Sequence, residues 1–183
     1  LLDKSARKNK INSRLTYDLY GKNILLIGFG RTGKSLSKIL KSFNTNIFVY
    51  DPFIKKVPKH IKRVKLEFGI KNADIISIHT PLNSSTKNLI SKKEFLKMKK
   101  NLIIINTSRG GIINEKYLDF FLKKRKILAA GIDVYENEPK LNSLLSKNKF
   151  AIFTPHVSSS SEECRQNMSI EAANNIVNYF KKH

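Results

Sequence analysis

The chain has 183 residues and a mass of 21.0 kDa, which is room for one full domain, or for a large domain with a small appendage. It is 40% hydrophobic and 27% charged, a composition that describes a globular chain with a core and excludes an intrinsically disordered one. No apolar run reaches about 18 residues, so we expect no transmembrane helix.

The cysteine content and the first residues indicate the cellular compartment in which we expect the protein. The single cysteine, Cys164, excludes an internal disulfide and a cysteine-built metal site, and it suits a reducing cytosol. The sequence begins Leu1-Leu2-Asp3, without methionine and without a basic-then-apolar leader, so we expect no secretion signal. We interpret this start as that of a segment of a longer protein. A cytoplasmic location and no bound metal are therefore expected.

The net charge of +21 invites a nucleic-acid-binding interpretation. Surfaces that bind nucleic acid favour arginine forks and interleaved aromatic side chains. Here lysine strongly outnumbers arginine, and the lysines form short scattered pairs such as Lys55-Lys56 and Lys123-Lys124. An excess of Lys, Asn and Ile along the whole chain is typical of a nucleotide bias in the source genome and does not indicate a binding surface. We therefore predict neither a nucleic-acid nor a membrane partner.

Apolar runs alternate with segments of helical periodicity from Lys22 onward, after about twenty polar residues that we expect to be helical or irregular. Predicted strands cover residues 24–27, 47–50, 75–79, 102–106, 129–134 and 151–154. Predicted helices cover 31–42, 91–98 with a capping box of Ser91 and Glu94, a segment after the cap Asn114, and a long segment to Phe180 with a capping box of Ser160 and Glu163. Wholly apolar strands that alternate with helices indicate a doubly wound α/β domain with a parallel sheet. Ligands of such a domain bind at the carboxyl ends of the strands.

The sequence GFGRTG, residues 28–33, follows the first strand and opens the first helix. This context is the one that a G-x-G-x-x-G dinucleotide-binding turn requires. Gly28 allows the tight turn, Gly30 lets the backbone approach a pyrophosphate, and Gly33 lets the helix pack on the strand. The N–H groups at the start of the helix would then face the phosphates.

Asp51 closes the second strand, eighteen residues after Gly33. A carboxylate at this position can accept both hydroxyl groups of an adenine ribose and repels a 2′-phosphate. The sequence thus predicts NAD rather than NADP as the cofactor, although the nearby Lys55 and Lys56 oppose this preference.

Three other strand ends carry groups that a sheet core does not need. Arg109 can hold a carboxylate through two parallel hydrogen bonds. His156 can exchange the proton that accompanies hydride transfer at a carbinol. A carboxylate beside this histidine would fix its tautomer and favour the imidazolium form. Two acids, Glu136 and Glu138, compete for that place, and spacing alone does not decide between them.

Six ordered blocks, GFGRTG, VYDP, HTPL, NTSRGG, GIDVYENEP and TPHVSSS, together resemble the NAD-binding domain of the D-isomer-specific 2-hydroxyacid dehydrogenases. That family includes phosphoglycerate, glycerate and formate dehydrogenases and glyoxylate/hydroxypyruvate reductases. The resemblance runs from about Leu19 to the carboxyl terminus. It implies a Rossmann-type domain and reversible hydride transfer between a nicotinamide and C2 of a small 2-hydroxy or 2-keto acid.

The resemblance also implies roles for individual residues. Arg109 would bind the substrate carboxylate and polarise its carbonyl, His156 would be the acid/base, and Glu138 would be the partner of that histidine. Asp133 would hold the nicotinamide carboxamide. The implied cofactor-binding residues are Gly28, Gly30, Arg31, Thr32, Gly33, Asp51, Thr80, Thr107, Asp133, His156, Ser158 and Ser159.

Ser158-Ser159 depart from the family pattern, which often has Gly followed by Gly or Ala. Serine is small, so we expect an intact cofactor site. By resemblance, residues 1–18 are a connecting segment from the substrate domain, 19–160 form the NAD-binding domain, and 161–183 form a helix that returns toward the substrate domain. Most of that substrate domain is absent from this chain. We expect cofactor binding with little turnover from the chain alone, and a homodimer.

A second hypothesis is an NAD(H)-sensing regulatory or interaction protein of the same fold. The family includes transcriptional co-repressors that keep these motifs, so the motifs do not separate the two hypotheses.

Overall fold

Seven parallel strands form one sheet in the computed structural model, which describes residues 16–181. The strand order is β3-β2-β1-β4-β5-β6-β7, which confirms the predicted doubly wound α/β fold. The strands are β1 (Asn23–Ile27), β2 (Asn46–Tyr50), β3 (Ile61–Arg63), β4 (Ile75–Ile78), β5 (Leu102–Asn106), β6 (Ile127–Ile132) and β7 (Ala151–Phe153). The helices are α1 (Arg31–Lys41), α2 (Leu66–Asn72), α3 (Lys92–Lys97), α4 (Glu115–Lys123), α5 (Ser143–Ser146) and α6 (Glu162–Phe180).

Alternate side chains of the central strand β1 supply two hydrophobic cores, one on each face of the sheet. Leu25 and Ile27 belong to the larger core, under helices α2 to α5. Ile24 and Leu26 belong to the smaller core, under α1. All four are at most 2% exposed, as expected for a strand covered on both faces.

The carboxyl ends of the strands align at one edge of the sheet. Asn106 of β5 is in register with Ile132 of β6, which is in register with Phe153 of β7. The segments after these three strands therefore leave the sheet at the same level. We call them the arginine turn (residues 106–111), the acidic segment (residues 133–139) and the histidine loop (residues 154–158).

The sequence prediction missed three secondary-structure elements. Strand β3 has only three residues, of which only Ile61 is buried. Helix α2 contains Gly69, a poor helix former, at a point where a Cβ would lie 2.6 Å from a methyl carbon of Leu25. Helix α5 is a single turn, with Asn142 as its cap.

Several predicted boundaries were wrong by one or two residues, two of them at side chains that make specific hydrogen bonds. The strand predicted at 129–134 is Ile127–Ile132, and the side chain of the next residue, Asp133, accepts N–H groups of the histidine loop. The cap of the last helix is Ser161 and not Ser160, since the Ser161 hydroxyl accepts the Cys164 N–H at 3.1 Å. Four consecutive serines, 158–161, offer several registers for this cap, and the sequence pattern does not distinguish them.

Helix α6 has no buried residue. Its large apolar side chains are exposed; examples are Met168, Ile176 and Phe180. A long ion pair of 3.5 Å joins Arg31 of α1 to Glu171. No helix within residues 16–181 is long and apolar enough to cross a membrane. The connecting segment predicted at 1–18 lies mostly outside the described residues.

Candidate active site

The glycine turn after β1 is built by close backbone contacts. Gly28 has φ +96°, and a Cβ there would lie 2.4 Å from the His79 carbonyl oxygen. A Cβ on Gly33 would lie 2.4 Å from the Gly28 carbonyl oxygen. A Cβ on Gly30 would meet nothing within 4 Å. Gly28 and Gly33 therefore serve packing, whereas Gly30 keeps a space open at the start of α1.

The first turn of α1 faces this space. Its N-cap is Gly30, which has no side chain to accept the first N–H groups of the helix. Arg31 and Thr32 follow and are exposed. A helix start with backbone donors and no capping side chain suits an anionic group such as a pyrophosphate.

Asp51 holds the glycine turn against the end of β2. Its Oδ2 accepts the Phe29 N–H at 2.8 Å, and its Oδ1 accepts the Phe53 N–H at 2.9 Å. Each carboxylate oxygen keeps a second lone pair, so both can also accept ribose hydroxyls. Sequence reasoning predicted the role toward a ribose and missed the role in the turn.

A cleft of about 510 Å³ opens beside Asp51, where the strand order reverses between β1 and β4. Open parallel sheets bind their ligands at this point of the carboxyl edge. Four of the predicted cofactor-binding residues line the cleft: Gly28, Gly30, Asp51 and Thr80. Thr107, which follows β5, is half-buried farther along the same edge.

Asn106 shapes the arginine turn. Its Oδ1 accepts the Ser108 N–H at 3.1 Å and the Ser108 hydroxyl at 2.9 Å, and its Nδ2 donates to the Arg109 carbonyl at 2.9 Å. Asn106 is buried, whereas the Arg109 side chain is exposed and donates to the Ser108 carbonyl. Asn106 belongs to the NTSRGG block, but the sequence prediction did not assign it this function. The feature that indicates the function is an Asn at the end of a buried strand.

His156 and Glu138 are in direct contact. Nδ1 of the imidazole lies 2.8 Å from Glu138 Oε2, and Glu138 Oε1 accepts the Tyr135 N–H at 3.1 Å. Donation through Nδ1 leaves Nε2 as the nitrogen that can exchange a proton. Of the two acids that competed for this place, Glu136 is exposed and Glu138 is the partner.

Several neighbouring groups change the pKa of Glu138. The pKa of Glu138 is lowered, first by the hydrogen bond from His156, against a smaller opposing effect of burial. The Tyr135 N–H and the positive charges of His156 and Arg109 lower it further. A carboxylate that stays ionised beside an imidazole stabilises the imidazolium form.

Asp133 anchors the histidine loop. Its Oδ1 accepts the Thr154 hydroxyl at 2.5 Å and the Val157 N–H at 2.9 Å, while its Oδ2 accepts the Ser158 N–H at 3.1 Å. Burial raises the pKa of Asp133, but these hydrogen bonds together lower it below its ordinary value. His156 adopts a positive φ of 52° within this loop.

Tyr135 ties the acidic segment to the histidine loop. Its hydroxyl donates to the Thr154 carbonyl, and its ring packs on Phe153 with centroids 6.3 Å apart. The sequence pattern did not single out this residue, because its partners lie on another strand and at that strand's end.

The glycine turn, the uncapped helix start, Asp51 and the cleft form one continuous edge, and these residues fit a dinucleotide. Within the described residues, no group of three or more His, Cys, Asp or Glu side chains could hold a metal ion. The fold and this edge define a Rossmann-type dinucleotide-binding domain.

The sequence matches a family profile described as D-isomer specific 2-hydroxyacid dehydrogenase, NAD binding domain, over residues 1–158. The chain belongs to this family and is its NAD-binding domain. The resemblance noted from the sequence blocks, and NAD as the cofactor, are thus confirmed.

Individual relatives agree with this assignment. The chain is 38% identical over 170 residues to the glyoxylate reductase of Thermococcus litoralis, covering 91% of this chain and 51% of the relative. It is 44% identical over 154 residues to the D-3-phosphoglycerate dehydrogenase of Methanocaldococcus jannaschii, covering 81% and 29%. Among solved structures, the NAD complex of the formate dehydrogenase of Staphylococcus aureus matches with a TM-score of 0.88 at 26% identity, covering 97% and 55%.

The chain spans about half the length of the glyoxylate reductase and less than a third of the phosphoglycerate dehydrogenase. The family acts on small 2-hydroxy and 2-keto acids. All three relatives carry the names of oxidoreductases, which gives no support to the regulatory hypothesis.

Proposed function

We propose that the full-length protein catalyses reversible hydride transfer between NAD and C2 of a small D-2-hydroxy acid or the corresponding 2-keto acid. The observation that carries this proposal is the 2.8 Å contact of His156 with Glu138, at the same sheet edge as the glycine turn. A dinucleotide site alone would need no such pair, whereas oxidation of an alcohol releases a proton that a base must take.

The cofactor would lie along the carboxyl edge. The adenosine half would occupy the cleft beside Asp51, and the pyrophosphate would face the space at Gly30. Bound NAD supplies the hydride acceptor or, when reduced, the donor. The other residues that we propose as cofactor contacts are Arg31, Thr32, Thr80, Thr107, Asp133, His156, Ser158 and Ser159. The Asp133 carboxylate, which already accepts the Ser158 N–H, would also accept a carboxamide N–H of the nicotinamide.

Three side chains would perform the chemistry. The Arg109 guanidinium would bind the substrate carboxylate and polarise the carbonyl. His156 Nε2 would take the hydroxyl proton in oxidation and return it in reduction. Glu138 would hold the Nδ1–H tautomer and stabilise the imidazolium. The lowered pKa of Glu138 supports this assignment, because the carboxylate remains ionised across the working range of a histidine.

The organisation of the whole protein is part of the proposal. Residues 19–160 would form the NAD-binding domain, 1–18 the connection from a substrate domain, and 161–183 the helix that returns to it. The exposed apolar side chains of α6 support this role, because exposed apolar surface of this kind is typical of an interface with another domain or protein. We propose a cytoplasmic homodimer with no nucleic-acid partner. Sedimentation of the full-length protein, with and without DNA, tests the oligomeric state and the absence of DNA binding.

A substrate screen tests the activity. The full-length protein would be mixed with NADH and, in turn, glyoxylate, hydroxypyruvate, pyruvate and 3-phosphohydroxypyruvate, and NADH absorbance followed. We expect NADH oxidation with at least one acid, and the D enantiomer wherever the product is chiral. Tight NADH binding without turnover on any of the four acids would favour the regulatory hypothesis.

A further inference from the structure

Glu115 is a buried carboxylate that the proposed mechanism does not use. It is the first residue of α4 and is 6% exposed. Its Oε1 accepts the Glu136 backbone N–H at 2.7 Å. Burial raises the pKa of Glu115, the negative charge of Glu136 raises it further, and this hydrogen bond opposes both effects. Burying a carboxylate is unfavourable unless its hydrogen bonds compensate, and the hydrogen bond from the Glu136 N–H offsets part of this cost.

The contact lies where two functional segments meet. Gly110 of the arginine turn packs so closely on the acidic segment that a Cβ there would lie 1.8 Å from the Tyr135 carbonyl oxygen. The cavity among Glu115, Gly110 and neighbouring core residues is only about 10 Å³, so the packing beside this junction is close. Glu115 follows the arginine turn by four residues and binds the acidic segment across this junction.

A short series of contacts runs from Glu115 to the histidine. The Glu136 N–H is held by Glu115, the neighbouring Tyr135 N–H donates to Glu138, and Glu138 accepts from His156. Two adjacent backbone N–H groups therefore point at two different carboxylates, one in the core and one at the site. Fixing the first restricts the orientation of the second.

We propose that Glu115 is a positioning residue, which holds the acidic segment in the place from which Glu138 reaches His156. Its importance for turnover rests on the proposed function, whereas its effect on the imidazole does not. The Tyr135 hydroxyl anchors the same segment to the Thr154 carbonyl. Loss of the Glu115 contact should therefore shift the segment rather than detach it.

Three substitutions in the 183-residue chain test the proposal. Glu115→Asp keeps the charge at the start of α4 but shortens the side chain, so the Glu136 N–H loses its acceptor. Glu115→Gln keeps the length and the accepting oxygen without the charge. Glu94→Asp is the matched control, because Glu94 Oε2 accepts a backbone N–H of its own helix start, that of Ser91 at 3.1 Å, and not one of the acidic segment.

The readout is the tautomer of His156, measured by nitrogen NMR in mildly alkaline solution where imidazoles are neutral. A hydrogen bond selects which ring nitrogen carries the proton. We expect the Nδ1–H tautomer in the original chain, in Glu115→Gln and in Glu94→Asp, and its loss in Glu115→Asp. The proposal is overturned if Glu115→Asp keeps the tautomer, if Glu115→Gln loses it, or if Glu94→Asp loses it equally.

A second measurement needs no variant and applies even if Glu115→Asp does not fold. The Glu136 amide of the unchanged chain should exchange its hydrogen slowly, because a buried carboxylate accepts it. Exchange as fast as that of an exposed amide would overturn the proposal. Neither readout requires turnover, so an inactive full-length protein would contradict the proposed function and leave this inference standing.

Discussion

Nδ1 of His156 lies 2.8 Å from Oε2 of Glu138, although the two residues are 18 positions apart in the sequence. The contact joins the segments that follow β6 and β7, whose strands are neighbours in the sheet. Both segments are held by further side chains, Asp133 for the histidine loop and Tyr135 for the acidic segment. The pair is thus fixed from both sides before any ligand arrives.

Removing the charge of Glu138 tests its role. We expect Glu138→Gln to lower kcat of the full-length protein by about 10²-fold, because an amide does not stabilise the imidazolium as a carboxylate does. NADH affinity, measured by calorimetry, should stay unchanged. Glu136→Gln is the control, since the Glu136 side chain is exposed and should leave kcat as it is. Equal turnover in both variants would refute the assignment of Glu138.

Two glycines of one turn should respond differently to alanine. Gly28→Ala places a Cβ 2.4 Å from the His79 carbonyl oxygen at a φ of +96°, so we expect a loss of about 2 kcal/mol or more in unfolding free energy. Gly30→Ala meets nothing within 4 Å and should keep the melting temperature, yet weaken NAD binding about tenfold. Thermal denaturation and calorimetry measure both. A Gly30→Ala chain with undiminished NAD affinity would show that the pyrophosphate lies elsewhere.

Asp51 should affect both binding and stability. We expect Asp51→Ala to weaken NAD binding and to destabilise the fold by about 1–3 kcal/mol, because the Phe29 and Phe53 N–H groups lose their acceptor. The same variant should lose its preference for NAD over NADP, since the carboxylate no longer repels a 2′-phosphate. Asp18→Ala, at the opposite edge of the sheet, is the control. Unchanged NAD affinity in Asp51→Ala would remove this residue from the site.

The lowered pKa of Asp133 predicts that the fold loses stability in acid. The pKa of Asp133 in the fold lies below the ordinary 3.8, so the ionised carboxylate stabilises the fold fully above pH 3.8. This stabilisation is lost as the pH falls through the lower pKa of the folded state. Other carboxylates with lowered pKa act in the same direction, such as Glu67 at about 2. The difference in unfolding free energy between the original chain and Asp133→Asn isolates the contribution of Asp133.

Urea unfolding at a series of pH values measures that difference. We expect Asp133→Asn to be less stable by about 1–3 kcal/mol at neutral pH, because an amide cannot accept all three hydrogen bonds. The gap should narrow as the pH falls below 3.8. A gap that is constant with pH would show that the ionised carboxylate is not what holds the histidine loop.

Much of the site was predictable because its residues directly follow strands. Strand ends are local features, and a parallel sheet brings its carboxyl ends to one edge, so Gly30, Asp51, Arg109 and His156 could be placed there from the sequence. The order of the motif blocks then identified the family. Their roles in binding and catalysis remain predictions.

The supporting residues were not predictable in the same way. Asn106, Glu115 and Tyr135 act through backbone groups, and two of them bind segments from other parts of the fold. Local periodicity contains no information on which backbone N–H a buried carboxylate will meet. Spacing alone did not decide between the two candidate acids, whereas the resemblance to the family indicated Glu138, which is the acid in contact with His156.

Transfer of deuterium tests the central claim most directly. The full-length protein, supplied with NADH that carries deuterium at C4 on the transferred face, would be incubated with the 2-keto acid that the screen selects. The label should appear at C2 of the D-2-hydroxy acid, whereas Arg109→Ala should bind NADH normally and transfer at least about 10²-fold more slowly. Label that never reaches C2, or equal transfer by Arg109→Ala, would contradict the account.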